Sequence, residues 1–153
     1  MNTPDKISIL ESNIDDMSPQ LCQPVADAII AAGALDVYWT PIIMKKGRPA
    51  LLLTVMCRTE DNERVAEAIF RNSTSLGIRY RESNRFILER NWVAVETKYG
   101  SVRIKLGIWK GQIVNAHPEF EDVRKSAEKS GVPVKLVFAA AEAAYAEHSA
   151  IAD

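Results

Sequence analysis

The chain has 153 residues, 47% of them hydrophobic and 25% charged, the proportions of an ordinary globular domain and not of a disordered or collagen-like one. Nineteen Lys and Arg against twenty Asp and Glu leave a net charge of -1, which argues against a dedicated duplex-DNA or membrane-surface binder. No apolar run nears the roughly 20 residues of a membrane span and residues 1–6 carry no signal-peptide core, so the expected address is the cytoplasm, away from DNA and membrane.

Cys22 and Cys57 lie far apart in apolar contexts and read as buried thiols of a reducing compartment. With only His117 and His148 beside them, a self-sufficient Zn or Ni site of His and Cys is not expected.

In chain order, Ile7, Ile9 and Glu11 open a strand, and Ser18-Pro19 reads as N-cap and first residue of a helix. Leu21, Val25 and Ile29 form the apolar face of that helix and Gly33 stops it. Two β-rich runs, 37–44 and 51–57, flank the cationic tip Lys45-Lys46-Gly47-Arg48-Pro49, a hairpin signal. Thr59 followed by Glu60, Asp61 and Glu63 begins a second helix, buried through Val65, Ala66, Ile69 and Phe70. Gly77 precedes an extended run through Ile78 and Tyr80, with a turn expected at Ser83-Asn84. This βαββαβ order predicts an α+β ferredoxin-like sandwich, two helices on one face of an antiparallel sheet, over residues 1–90.

The remainder, 91–153, reads as a smaller α+β lobe: a β-meander plus two helices. Val93, Val95 and Thr97 alternate, Tyr99-Gly100-Ser101 turns the chain, and Val102, Ile104, Leu106 and Ile108 alternate again. Lys110-Gly111 leads into a further strand from Gln112. Pro118 is expected to begin a helix with Glu119, Glu121 and Asp122 in its first turn and Gly131 at its end. An Ala-rich helix follows from Val134.

Charge is uneven along the chain. Residues 1–44 hold six acids and one Lys, residues 45–58 four bases and no acid, and residues 79–110 eight bases against three acids. Asp15-Asp16, between the first strand and the first helix, admits two readings: a solvated capping loop, or carboxylates that meet a Mg²⁺ or Mn²⁺ whose other ligands are phosphate and water. Lys45, Lys46 and Arg48 are either a hairpin tip that guards a sheet edge, or a phosphate grip in which Gly47 lets the backbone approach. The hydroxyls of 73–75 either satisfy helical carbonyls or face a ligand. Arg79 with Arg81, and Arg103 with Lys105, are either solvated strand faces or anion-binding surface. Glu119, Glu121 and Asp122 near His117 look like an acid/base cluster, and equally like ordinary first-turn acids. The P-loop, dinucleotide, nucleophile-elbow and zincin motifs are absent.

Longer blocks carry a resemblance. Residues 10–19 (Leu-Glu-Ser-Asn-Ile-Asp-Asp-Met-Ser-Pro), Ala32-Gly33-Ala34-Leu35-Asp36-Val37, Thr40-Pro41-Ile42, Met44 to Pro49, Ser75-Leu76-Gly77-Ile78-Arg79, Tyr99-Gly100, Pro118 to Asp122 and Gly131-Val132-Pro133 resemble the C-terminal domain of the LarC family, the nickel insertion proteins of nickel-pincer cofactor synthesis. The resemblance implies a CTP-binding domain of a CTP-dependent cyclometallase (a lyase). Such a protein inserts Ni²⁺, its substrate, into pyridinium bisthiocarboxylate mononucleotide for lactate racemase, with CTP hydrolysed to CMP and pyrophosphate. The family's His-rich N-terminal domain, associated with nickel, has no counterpart in this sequence, and alone the chain is expected to be inactive in insertion. Carried over, Asp15 and Asp16 would meet the Mg²⁺ or Mn²⁺ of CTP, and Lys45, Lys46, Gly47 and Arg48 its phosphates. Ser75, Gly77 and Arg79 would add phosphate or ribose contacts, and Pro118, Glu119 and Asp122 would serve the cytosine edge or the hydrolytic water. Ser12, Gln20 and Ala50 depart from the family's usual Thr, Glu and Gly, and Ala50 sits beside the cationic tip. The expected partners are CTP, the mononucleotide, the family's N-terminal domain and further copies of the chain in a homo-oligomer. A ferredoxin-like ligand- or RNA-binding module without chemistry is the alternative.

Overall fold

A computed structural model describes the backbone of residues 5–152 and the side chains of 5–149. The described residues divide into two compact units, 5–86 and 87–152.

In the first unit β1 (Asp5–Ile14), α1 (Cys22–Ala31), β2 (Asp36–Met44), β3 (Arg48–Cys57), α2 (Asn62–Asn72) and β4 (Arg79–Arg85) follow one another. The strands pair in the order β2-β3-β1-β4, every neighbour antiparallel, as a ferredoxin-like sandwich requires. Period-2 alternation along β1 and β3 turns Leu10, Ile14, Leu53, Val55 and Cys57 to the helices, and Val25, Ile29, Val65 and Ile69 at i,i+4 spacing meet them. All nine are at most 4% exposed, and each large aliphatic so placed contributes about 1.5–3 kcal/mol. Glu11 and Asn13 therefore lie on the opposite, helix-free face of the sheet.

α1 ends as expected at Gly33, whose φ of +100° suits a residue without Cβ. Arg64 of α2 reaches across, its Nε donating to the Ala32 carbonyl at 2.7 Å and its Nη2 to Asp61 at 2.6 Å. A Cβ at Gly33 would sit 2.6 Å from that Nη2.

In the first unit, local expectations are modified or fail at three places. Ser18 and Pro19 are N-cap and first residue as expected, but of one 3₁₀ turn, Pro19–Leu21; the Ser18 side chain makes no cap and α1 begins at Cys22. Thr59–Asp61 likewise forms a 3₁₀ turn before α2. The turn expected at Ser83-Asn84 does not exist, because β4 runs straight through it, with Ser83 opposite Ile7 and Asn84 opposite Lys6. There the ladder along the ten-residue β1, closed by Arg85 on Asp5 at 2.7 Å, outweighs the local turn preference.

In the second unit β5 (Glu89–Thr97), β6 (Gly100–Trp109) and β7 (Gln112–Pro118) form the expected meander, with α3 (Phe120–Ser130) and α4 (Val134–Ala152) packed on it. Lys110 and Gly111, both at positive φ (+52° and +82°), connect β6 to β7 as a two-residue hairpin turn. Val102, Ile104, Val123, Val137 and Ala141 make its core. Pro118 does not begin a helix: it is the buried last residue of β7, opposite Ile104. The Glu119 N–H donates to the Arg103 carbonyl at 2.8 Å, which carries the pairing one residue past the Pro and delays α3 to Phe120. Among the described residues no helix is long and apolar enough to cross a membrane.

Candidate functional site

At the end of β1 the chain presents Glu11, Asn13 and, one residue beyond the strand, Asp15. Each of the three meets a cation from a flanking strand. The Arg48 Nη1, at the start of β3, donates to Asp15 Oδ2 at 3.0 Å. On the other side of β1, Arg79 of β4 donates from Nε to Glu11 Oε2 at 3.1 Å and from Nη1 to Asn13 Oδ1 at 2.9 Å. Arg81 reaches the same Glu11 oxygen at 2.9 Å. The Arg81 guanidinium, then that of Arg79, holds the Glu11 carboxyl below the ordinary carboxylate range.

Asp16, next along the chain, accepts a hydrogen bond from Thr74 Oγ1 at 2.5 Å. That contact pins the 73–77 loop against the loop after β1. The same loop is held from below by the buried Ser12. Its hydroxyl lies 2.5 Å from Ser75 Oγ, and both hydroxyls lie 3.0 Å from the Gly77 carbonyl. Ser73 Oγ closes α2 on the Ile69 carbonyl at 2.7 Å, the capping role that hydroxyls there can take.

Arg48 thus meets Asp15, and Thr74 meets the adjacent Asp16 next to the Ser75–Gly77 segment that Ser12 holds, while Arg79 stands on Asn13. Ser75 and Gly77 face Ser12, which leaves Thr74 as the loop's outward hydroxyl. Lys45, Lys46 and Gly47 form the tip of the β2–β3 hairpin, Lys46 and Gly47 both at positive φ (+64° and +68°). A cleft of about 320 Å³ opens beside Asp15, lined by Met17, Pro41, Pro49, Ala50 and Leu51. Ala50, the departure noted above, is part of its wall. Among the described residues no three His, Cys, Asp or Glu groups assemble a metal-binding cluster. A divalent cation at Asp15 or Asp16 would take its remaining ligands from outside these side chains.

The other expected residues belong to the second unit and are engaged there. Asp122 accepts from Arg103 at Nε (2.7 Å), Nη2 (2.9 Å) and the backbone N–H (3.1 Å), and this pairing holds its carboxyl below the usual range. Glu119 accepts the Trp92 indole N–H at 2.8 Å and lies 3.4 Å from Lys105; the indole first, then the ammonium, lowers it. Both Arg103 and Lys105 thus face carboxylates of their own lobe.

Sequence reasoning passed over Glu11, Asn13 and Thr74 as site residues. The signal for the first two was available: counted back by twos from Asp15, they share its strand face. Thr74 had no such signal, since its partner lies 58 positions away.

The sequence profile of the nickel insertion protein family matches residues 1–138. A relative named for nickel insertion in Myxococcus xanthus is 48% identical over 136 residues, 89% of this chain and 35% of that protein. One from a Synechococcus strain is 45% identical over 139 residues, 91% of this chain and 35% of that protein. The chain thus spans about a third of the length of these relatives. Among solved structures it superposes with a TM-score of 0.89 and 34% identity on LarC2, the C-terminal domain of a cyclometallase involved in the synthesis of the NPN cofactor of lactate racemase, in its apo form. That match covers 94% of this chain and 99% of the other. A Methanopyrus kandleri protein shares the fold at 24% identity and a TM-score of 0.64, covering 95% and 92% of the two chains. The matched span and these identities make the chain a member of the nickel insertion protein family.

Proposed function

We propose that this chain is the CTP-binding portion of a CTP-dependent nickel insertase. The complete protein would place Ni²⁺, as substrate, in pyridinium bisthiocarboxylate mononucleotide to make the nickel-pincer cofactor. The observation that carries the reading is the contact of Arg48 with Asp15 at 3.0 Å. It joins the cationic hairpin tip to the carboxylate loop, so that one polyphosphate and its cation can reach both. Lys45, Lys46 and Arg48 would hold the phosphates, the Gly47 backbone would allow close approach, and Asp15 and Asp16 would face the Mg²⁺ or Mn²⁺. Ser75 and Gly77 serve by keeping the loop in place, and Arg79 adds positive charge on the same sheet face. The cleft at Ala50 has room for one pyrimidine ring. This grip is assigned to the first unit alone.

Nickel insertion itself requires the N-terminal domain of the family, and the cytoplasm is the compartment that supplies CTP. Self-association is supported by exposed apolar side chains on both edge strands, Ile43 on β2 and Tyr80 on β4.

Thermal denaturation with and without CTP and Mg²⁺ or Mn²⁺ tests the reading. At about 100 times Kd the ligand adds about 2.7 kcal/mol, a rise on the order of 5–10 °C. A wild type that does not respond refutes it, as does a Lys46→Ala, Arg48→Ala double variant that responds in full. Steeply salt-dependent binding of single-stranded RNA in place of CTP would favour the binding-module alternative.

A further inference from the structure

One edge of the first sheet is open. β4 ends the order β2-β3-β1-β4 and pairs with β1 alone, in unbroken register from Arg79 to Arg85. About half of its backbone N–H and C=O groups therefore point away from the sheet. The opposite edge strand, β2, carries Pro41 in its middle, which removes a donor; β4 has no proline. Beside the open edge, a groove of about 580 Å³ lies between β4 and α2. Leu10 and Ile78 line it from within, and Phe70 and Tyr80, 47% and 68% exposed, stand at its mouth. Tyr80 lies opposite Leu10 in the ladder and shares its helix-side face. Glu60 and Glu63 line the groove as well. Their neighbours Asp61 and Glu67 are taken up by Arg64 and Arg71, but Glu60 and Glu63 pair with no cation among the described residues.

We propose that β4 and this groove form a docking surface for an extended segment of a partner protein, which adds to the four-stranded sheet as a further strand. The segment carries an apolar residue and a Lys or Arg among the side chains that face α2. Main-chain hydrogen bonds to β4 supply affinity, and the groove selects the side chains. The apolar residue meets Phe70 and Tyr80, and the cation meets Glu60 and Glu63. Glu63 and Phe70 are two helical turns apart, roughly 10 Å, a distance that an extended chain covers in about three residues. Alternate or next-alternate positions of one strand thus reach both ends. A second copy of the chain is a poorer occupant. Its β2 contains no Lys or Arg, and its β4, laid antiparallel, would set Arg81 and Arg85 beside the same arginines on the helix-free face. The surface stands whether or not CTP binds, because the groove shares no side chain with the grip proposed above.

The probe is the labelled heptapeptide acetyl-Thr-Leu-Thr-Lys-Thr-Lys-Thr-amide, used in this order and in reverse. Anisotropy titration of the whole chain should give a Kd on the order of 100 μM or tighter for one of the two. Glu in place of both Lys, or N-methylation of alternate backbone nitrogens, should weaken that binding about tenfold or more. Glu60→Gln combined with Glu63→Gln, and separately Tyr80→Ala, should each weaken it about fivefold. Glu142→Gln, which removes a charge from α4, should leave it unchanged. No saturable binding of either peptide up to about 1 mM overturns the proposal. So does equal binding of the Glu or N-methylated peptide, or full affinity in the Glu60, Glu63 double variant or in Tyr80→Ala. Sedimentation in which Tyr80→Lys dissociates a wild-type oligomer also overturns it, because a second copy would then hold the edge. Circular dichroism melting verifies that each variant is folded, and the altered peptides decide alone if one is not.

Discussion

Asp15 pairs with Arg48 through Oδ2 and is also assigned the cation of CTP, and Asp15→Asn separates the two roles. Its bond to Arg48 is 3.0 Å long, but the side chains are 22% and 56% exposed, so the pair contributes at most about 1 kcal/mol to stability. The variant should therefore melt within a few degrees of the wild type. Drawing Arg48 from Asp15 onto the phosphates carries a penalty of up to about fivefold in Kd. Asn lifts that penalty, so without divalent metal the variant should bind CTP as well as the wild type or up to about fivefold more tightly. With Mg²⁺ present, the variant loses a charged contact, a class that contributes about 1.5–3 kcal/mol, and should bind on the order of tenfold more weakly. The diagnostic is the ratio of the two dissociation constants. Calorimetric titration in EDTA and in excess Mg²⁺ should show the metal's benefit shrinking at least tenfold in Asp15→Asn. Equal weakening under both conditions would refute the reasoning, because Asp15 would then act without the cation.

Three further outcomes follow from the packing. Gly33→Ala imposes a Cβ at φ +100° and 2.6 Å from Arg64 Nη2, so it should destabilise the first unit by about 2–3 kcal/mol in urea unfolding. Arg64→Ala should cost about 1 kcal/mol in the wild type and almost nothing in Gly33→Ala, where the guanidinium is already displaced; equal effects in both backgrounds would disprove the clash. The Asp122 pKa is depressed in the folded state by Arg103, so its contribution is present above the unfolded value of about 3.9 and is lost as pH falls through the folded value. The gap in Tm between wild type and Asp122→Asn should accordingly close as pH drops from about 5 toward 3, and a constant gap would exclude the linkage. Ile69→Ala removes a side chain 1% exposed from the core between α2 and the sheet, and should destabilise by about 2–5 kcal/mol without altering CTP affinity in whatever fraction remains folded.

Much of this molecule is local and was readable as such. The βαββαβ order, the 45–49 hairpin tip and the Gly131 stop follow from periodicity and turn chemistry, which act over a few residues. The places that misled are those where a distant strand competes with a local preference. Ser83-Asn84 looks like a turn until β1 proves long enough to pair with it, and Pro118 looks like a helix start until β6 claims it.

The candidate site shows the same division more sharply. Amino-acid order alone determined which chemical groups are available: two adjacent carboxylates, three cations at a hairpin tip, and a hydroxyl-rich loop before Arg79. It also limited the soft metal ligands to two Cys and two His. Only the tertiary structure decided that Arg48 meets Asp15 across 33 positions, that Thr74 meets Asp16 across 58, and that Glu11 gathers Arg79 and Arg81 across 68 and 70. Charge attraction is indifferent to sequence separation. The partner each carboxylate receives is set by the antiparallel register of β1 with β3 and β4, and that register is held by the burial of Leu10, Ile14, Leu53 and Val55 on the sheet's other face.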